Sequence, residues 1–381
     1  MSASPDMDIL IAQSPEELAE VYGFRYEVLV GQLGRTYVNA DHENRALSDP
    51  ADRAAMQIYM RRAGRIAATL RVIVAPVPML PVYMRERFGL GAFDLEGLTV
   101  SFTDTLVVDT DRADSRAAAI LMTAAYKIAC ARGSGFDFTN AAPGEVGVFE
   151  RLGYRSYGAN YQDADLGFRV PMVLPTGDLE HMTATRSPFL PLARTMNHDR
   201  ELVNWFRRAF AEACDSVQPA AMDEEALWSY LTRKLNQTPH NGIPLLMALE
   251  YRDAARFLKL ATVVKCGAGE TIVKKGDMGN EMFVVLDGAV EVRDGERRIA
   301  RFGKGGIFGE MAYLNTEPRT ADVVALRPAE ILVLTQDTMT RAMTKMPDIA
   351  ARILFNLSLI LVERLKDTTG KYVKASETAA A

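Results

Sequence analysis

The run Phe308-Gly309-Glu310-Met311-Ala312-Tyr313-Leu314 and, a few residues on, Pro318-Arg319-Thr320-Ala321 combine the residue types that hold a sugar phosphate. Gly309 has no Cβ, so the backbone can come close to a ligand, and the chain from Glu310 can open a short helix whose first amides face an anion. Arg319 offers a planar fork of donors to phosphate oxygens. Glu310 is the acidic member of the set. It would repel a phosphate, so its fitting partner is a sugar hydroxyl that donates to it. Phosphate on one side and sugar on the other describe a nucleotide.

Such residues need a scaffold. Gly269-Glu270-Thr271-Ile272, then Gly276-Asp277, then Met282-Phe283-Val284-Val285-Leu286-Asp287-Gly288-Ala289-Val290-Glu291-Val292 alternate apolar residues between Gly-Asp and Asp-Gly corners. That pattern predicts short antiparallel strands. After the cassette, residues 349–366 carry Ile353, Leu357, Ile360, Leu361 and Leu365 at helical spacing, which predicts an amphipathic helix.

With Glu310 and Arg319 both in place, the cassette closely resembles the phosphate-binding cassette of the cyclic-nucleotide-binding domains of regulated kinases, ion channels and bacterial transcription factors. The resemblance implies a β jelly roll with a lid helix over residues 249–373, the helix closing over the base. It implies Arg319 on the equatorial cyclic phosphate and Glu310 on the ribose 2′-hydroxyl. The amides of Gly309 and of Ala312 or its neighbours complete the cradle, with Met311, Thr320 and Ala321 in the same ligand-binding segment. The implied ligand is cAMP or cGMP; Thr320, directly after the arginine, inclines toward cGMP without closing the choice. Asp322 departs from the small or hydroxylated residue usual at that place in the family.

The first half has another texture. Residues 14–26 begin with a capping-box pattern, Ser14-Pro15-Glu16-Glu17, and continue as a helix through Leu18, Val21, Tyr22 and Tyr26. Strands are predicted over 57–60, 65–74, 103–108, 136–138 and 170–174, with helices over 117–131 and 146–152. A helix, a meander, a central helix and a strand-helix-strand return make an α+β fold with helices on both faces of one mixed sheet.

This order resembles the GNAT acetyltransferase superfold. Phe24-Arg25-Tyr26-Glu27-Val28, the acidic stretch with Asp41, Asp49 and Asp52, and Ala67-Ala68-Thr69-Leu70-Arg71-Val72 are similar to the opening of autoinducer synthases and N-acyl amino acid synthases. Phe149-Glu150-Arg151-Leu152-Gly153-Tyr154 is similar to a late GNAT segment; Pro171-Met172-Val173-Leu174 and Arg186-Ser187-Pro188-Phe189 also suit the acyl amino acid group. The resemblance implies transfer of an acyl group to an amine. Such transfer needs a deprotonated amine, a thioester held close and stabilisation of the oxyanion. Asp104 is the first candidate for general base and Glu145 the second, while Arg25 and Arg71 suit the site entrance or an acceptor carboxylate. Salt bridges of these arginines to Asp41 or Asp49 are the competing structural expectation.

Two departures shape the donor. The segment Asp109-Thr110-Asp111-Arg112-Ala113-Asp114-Ser115-Arg116-Ala117 has no glycine and three aspartates where a pyrophosphate cradle would lie, which favours an acyl carrier protein thioester over acyl-CoA. The central strand reads Thr103-Asp104-Thr105-Leu106 and lacks the Glu-x-x-Arg pattern of the autoinducer synthases, which speaks against homoserine lactone chemistry.

The chain has 381 residues, 48% of them hydrophobic, enough for two or three domains: a GNAT-like domain over 8–182, a helical connector over 183–248 and the jelly roll over 249–373. In the connector, 201–214 and 224–235 have helical periodicity. A net charge of −5 argues against a nucleic-acid partner. The three scattered cysteines and four scattered histidines indicate neither disulfides nor a metal site. No signal pattern or membrane span is legible, so a cytoplasmic location is expected. Self-association as a homodimer is a further expectation. The reading is a cyclic-nucleotide-regulated N-acyltransferase that moves a fatty acyl group from acyl carrier protein to an amine such as an amino acid, with acyl carrier protein and cyclic nucleotide as partners; the alternatives are a nucleotide-dependent acetyl-CoA acetyltransferase and a non-catalytic nucleotide sensor.

Overall fold

The computed structural model describes residues 8–109, 115–215, 218–315 and 317–380, with the side chains of the last helix described as far as residue 370. The chain divides into two compact units, Met1–Ser216 and Val217–Ala381. The segment read as a connector is therefore shared: residues 183–215 pack with the first unit, and residues 218–248 with the second.

The first unit is built on a mixed sheet of eight strands. Ile9–Ile11, Met56–Arg62, Arg65–Pro76 and Thr99–Val108 run as an antiparallel meander in that order. Phe136–Ala141 then lies parallel to Thr99–Val108, and Gly167–Pro175 returns antiparallel beside it. The edge strand Ile9–Ile11 escapes the sequence pattern because all three of its residues are exposed, so it has no apolar alternation to read.

The helix Pro15–Tyr26 starts where the capping box predicts: Ser14 accepts from the Glu17 amide, and the Glu17 carboxylate accepts from the Ser14 amide. Val21 on this helix packs against Tyr59 and Ile66. The central helix Ser115–Ala131 bridges the two parallel strands, as a parallel connection requires. Alternation along Phe136–Ala141 places Phe136 and Phe138 in an aromatic core with Phe93, Phe102 and Phe206 and turns Asp137 to the opposite face. The helix Arg200–Ala209 supplies Phe206 to that core and ends at Phe210, which stacks on Phe93 with ring centroids 4.7 Å apart. These aromatics explain why the 201–214 periodicity belongs to the first unit.

In the second unit, Thr262–Cys266, Thr271–Val273, Glu281–Asp294, Arg297–Phe302, Ile307–Phe308 and Asp322–Thr335 form a six-stranded antiparallel β-sandwich around the long pair Glu281–Asp294 and Asp322–Thr335. One core joins it to the helices Glu224–Leu235, Tyr251–Leu258, Gln336–Lys345 and Pro347–Ala380 through Leu231, Phe257, Ala342 and Ile353. The final helix is longer than the sequence pattern predicts, and its buried stripe is shorter. Ile353 and Leu357 are fully buried, Ile360 and Leu361 pack at the margin, but Leu365 is 67% exposed. Among the described residues, no helix is long and apolar enough to cross a membrane.

Candidate functional site

The short helix Glu310–Asn315 follows the strand Ile307–Phe308 directly, so the cassette forms a strand, a glycine corner and a helix. Gly309 has φ +80°, and a Cβ there would meet the Glu281 carbonyl and the Phe283 ring at 3.0 Å, which excludes a larger residue without movement. Glu310, Ala312 and Arg319 are buried, Ala321 is half-buried, and Met311 and Thr320 are exposed. Arg319 Nη1 donates to the carbonyls of Glu281 at 2.9 Å and Gly309 at 3.1 Å, and Nη2 donates to the Glu281 carboxylate at 2.9 Å. Burial lowers the Arg319 pKa, an effect that its neighbours Glu281 and Asp277 only partly offset. Glu310 is paired instead with Arg364 of the last helix, at 2.6 Å.

Three participants here have no motif to announce them. Glu281 opens the long strand and holds the arginine in place. Gly279 clears room for it, since a Cβ at that position would lie 2.7 Å from Arg319 Nη2. Arg364 stands 45 residues beyond Arg319 in sequence and reaches the site only because the helix does. Asp322, the departure from the family pattern, accepts from the Lys275 amide at 2.8 Å and so fixes the neighbouring turn.

In the first unit, three adjacent strands set Gln57, Arg71 and Asp104 in one row, through the registers Gln57↔Arg71 and Arg71↔Asp104. Arg71 donates to both Asp104 oxygens, Nε at 2.6 Å and Nη2 at 3.0 Å, and its Nη1 donates to Asp49 at 2.6 Å and Asp52 at 3.2 Å. Arg25 donates to Asp52 at 3.0 Å and to the Gln57 side-chain oxygen. Burial works against the Arg71 charge, but Asp104, Asp49 and Asp52 outweigh it and hold the pKa well above its usual value. Thus three of the four catalytic candidates, Arg25, Arg71 and Asp104, come together. Glu145 stands apart from this network, accepting from the Ala142 amide and from Arg169. The salt-bridge expectation needs one correction: Asp41 meets neither arginine and instead accepts from the amide and side chain of Asn44, while Asp52 takes the central place.

On the opposite face lies a cluster that the sequence reading passed over as an ordinary strand. Asp137 accepts from Ser101 at 2.6 Å, Thr103 at 3.1 Å and Tyr154 at 2.5 Å. Complete burial raises its pKa to about 6 despite those donors. Its only sequence signal is one carboxylate between two phenylalanines. The strand after Asp104 is also distorted, with Thr105 at φ +52°, a costly conformation for a β-branched residue. The glycine-free turn singled out for the acyl donor lies, from Thr110 to Asp114, outside the described residues.

Residues 263–346 match the family model of the cyclic nucleotide-binding domain. The second unit contains a cyclic nucleotide-binding domain. The chain is 30% identical over 132 residues to a cAMP-dependent protein kinase regulatory subunit of Mycosarcoma maydis, covering 34% of this chain and 24% of that protein. It is 32% identical over 134 residues to the type II regulatory subunit of Drosophila melanogaster, covering 32% of this chain and 36% of that one. The chain thus spans about a quarter to a third of the length of these relatives. Among solved structures, a cyclic nucleotide-binding domain from Methylobacillus flagellatus aligns with a TM-score of 0.34 at 23% identity, over 38% of this chain and 82% of that one.

Proposed function

We propose that this chain is an N-acyltransferase whose activity is set by a cyclic nucleotide bound at Arg319 and Glu310. The observation that carries the nucleotide half is the cassette geometry: a buried guanidinium beside a glycine corner, with a carboxylate one residue away at the start of a helix. In this reading Arg319 takes the cyclic phosphate and Glu310 the ribose hydroxyl, with cAMP or cGMP as ligand.

The acyl-transfer half, and the GNAT-like architecture assigned to residues 8–182, draw support from sheet topology. The parallel ladder between Thr99–Val108 and Phe136–Ala141 pairs three positions and ends at Phe102 and Phe138, while both strands continue. An extended thioester arm could join the sheet edge left beyond that point through main-chain hydrogen bonds. A cavity of about 670 Å³ opens at the end of the same strand, lined by Phe24, Val28, Met60 and Ile66 together with charged residues such as Glu27 and Arg65; in this reading its apolar part takes the acyl chain. In the proposed step the amine attacks the thioester carbonyl, its proton passes to a carboxylate, Asp104 in this assignment, and the C–S bond breaks to leave a thiolate that this proton then neutralises. Arg71 positions that carboxylate. The donor is acyl carrier protein thioester or acyl-CoA, and the acceptor an amine such as an amino acid.

A second reading, a nucleotide sensor without catalysis, is favoured by the way Arg25, Arg71, Asp49, Asp52 and Asp104 satisfy one another. One experiment separates the two. Purified chain is given acyl carrier protein or CoA thioesters and a panel of amino acids, with and without cAMP and cGMP, and thiol release is followed. The expected result is nucleotide-dependent release that falls about 100-fold or more in Asp104→Asn. No release above the protein-free rate from either protein would leave the sensor reading standing. A nearly complete switch requires the nucleotide to favour the active state by about 5.5 kcal/mol.

A further inference from the structure

An amino acid acceptor needs a cation for its carboxylate, and the two arginines that the sequence offers for that task are already engaged. Arg71 gives its donors to Asp104, Asp49 and Asp52, and Arg25 gives its own to Asp52 and Gln57. A substrate carboxylate arriving there would have to displace one that the protein supplies. The same face of the sheet carries another arginine.

Arg169 stands in the strand Gly167–Pro175, one strand beyond Phe136–Ala141 and two beyond the strand of Asp104. It is the register partner of Tyr161, so the two side chains project to one face. The aromatics identify that face. The Tyr161 ring lies 6.3 Å from Phe88, which packs edge-on against Phe102 at 4.9 Å and Phe138 at 6.2 Å between ring centroids. Asp104 follows Phe102 by two residues and so leaves the sheet on the same side. Asp104 and Arg169 thus look onto one space from alternate strands, about 10 Å apart across the sheet. An arginine arm and a small amino acid together span such a gap. The Tyr161 hydroxyl, whose pKa is raised mainly by burial, feels the charges of both Arg169 and Asp104.

The donors of Arg169 are not all used. Its side chain is 9% exposed, its Nε is buried with no hydrogen-bond partner among the described residues, and its Nη1 donates to Glu145 at 3.3 Å. Glu145 is 55% exposed and also accepts from the Ala142 amide. A guanidinium has five donor hydrogens in one plane, so a second carboxylate can join Arg169 without displacing Glu145. A buried donor left without a partner costs free energy, and a ligand that brings an acceptor removes that cost. We propose that Arg169 is the specificity-determining residue of the acyl-transfer site: it binds the carboxylate of the acceptor amino acid and so holds the amine toward Asp104. The inference rests on the reading of the first unit as an N-acyltransferase with Asp104 as base, and it makes a free carboxylate a requirement of the acceptor.

The test follows thiol release from acyl carrier protein and CoA thioesters by the full chain, with and without cAMP and cGMP. Glycine, leucine and phenylalanine are compared with their α-carboxamides as acceptors, in the parent, Arg169→Lys and Arg169→Gln. The parent should use each free acid about 10–100-fold better than its amide in kcat/KM, the scale of a hydrogen bond to a charged group. Arg169→Gln should lose that preference, with KM for the acids rising by about the same 10–100-fold, KM for the amides rising far less and kcat for the acids changing little. The lysine variant keeps the charge without the planar fork and should retain part of the preference. Equal use of acids and amides by the parent overturns the assignment without any variant, and so does a glutamine variant that keeps the acid preference; both leave acyl transfer standing. A glutamine variant slowed equally with acids and amides shows a structural role and overturns the assignment too. No release from the parent with any acceptor overturns the acyl-transfer reading and this assignment together.

Discussion

Each unit places an arginine against carboxylates, but the two arrangements serve different ends. Around Arg71 the acceptors are Asp49, Asp52 and Asp104, which leave the guanidinium with two to three carboxylates' worth of negative charge and a second arginine, Arg25, to share it. Its acceptors come from one strand, with Asp104, and one turn, with Asp49 and Asp52. Arg319 donates to one carboxylate, Glu281, and two carbonyls, with Asp277 as a further acidic neighbour, while Glu310 pairs with Arg364. A charge enclosed by several opposite charges is a structural element; a charge held by one partner beside a glycine corner can trade that partner for a ligand. The contrast sets an arginine whose loss is expected to destabilise the first unit against one whose loss is expected to weaken the proposed nucleotide binding.

The sharpest break of that contrast is Arg71→Ala. It strands Asp104 and part of the charge of Asp52 in a buried setting, and the expected loss is about 3–5 kcal/mol in the stability of the first unit, read from urea unfolding. Arg319→Ala comes next. It should weaken cyclic nucleotide binding by about 2–5 kcal/mol in calorimetry while the unfolding midpoint moves far less than for Arg71→Ala. Should both substitutions lower stability equally, the distinction between the two sites fails.

Glu150→Gln gives the smallest effect and sharpens the comparison with a buried acid that lies in neither network. Burial is the main cause that raises the Glu150 pKa to about 8 from its usual 4.5. Between those values the folded protein keeps a proton that the unfolded chain releases, so stability falls as pH rises through the window and is level above it. The glutamine variant lacks that slope. It should match the parent near pH 4 and exceed it by about 2–4 kcal/mol at pH 8 and above, in unfolding measured across pH.

How much was legible follows the range of the interactions. The capping box at Ser14 and Glu17, the alternation in Glu281–Asp294 and the periodicity of Glu224–Leu235 are local, and the elements stand where those signals put them. The Gly309, Glu310 and Arg319 cassette is local as well. The assignment of 201–214 to a connector missed its packing because Trp205, Phe206 and Phe210 look the same on any amphipathic helix until Phe93 and Phe136 are found against them. Leu365 shows the opposite failure, an apolar residue in register with a buried stripe that outruns the core.

By itself the amino-acid order determined which residues could carry charge to a phosphate or a sugar, and where helices and strands begin, since caps, corners and periodicity act over a few residues. Only the tertiary structure decided which partner each charge received. Asp52 rather than Asp41 joined Arg25, Glu281 joined Arg319, and Arg364 crossed to Glu310. Those choices depend on distances set by strand register and helix direction across tens of residues, and burial then makes each pairing strong enough to matter.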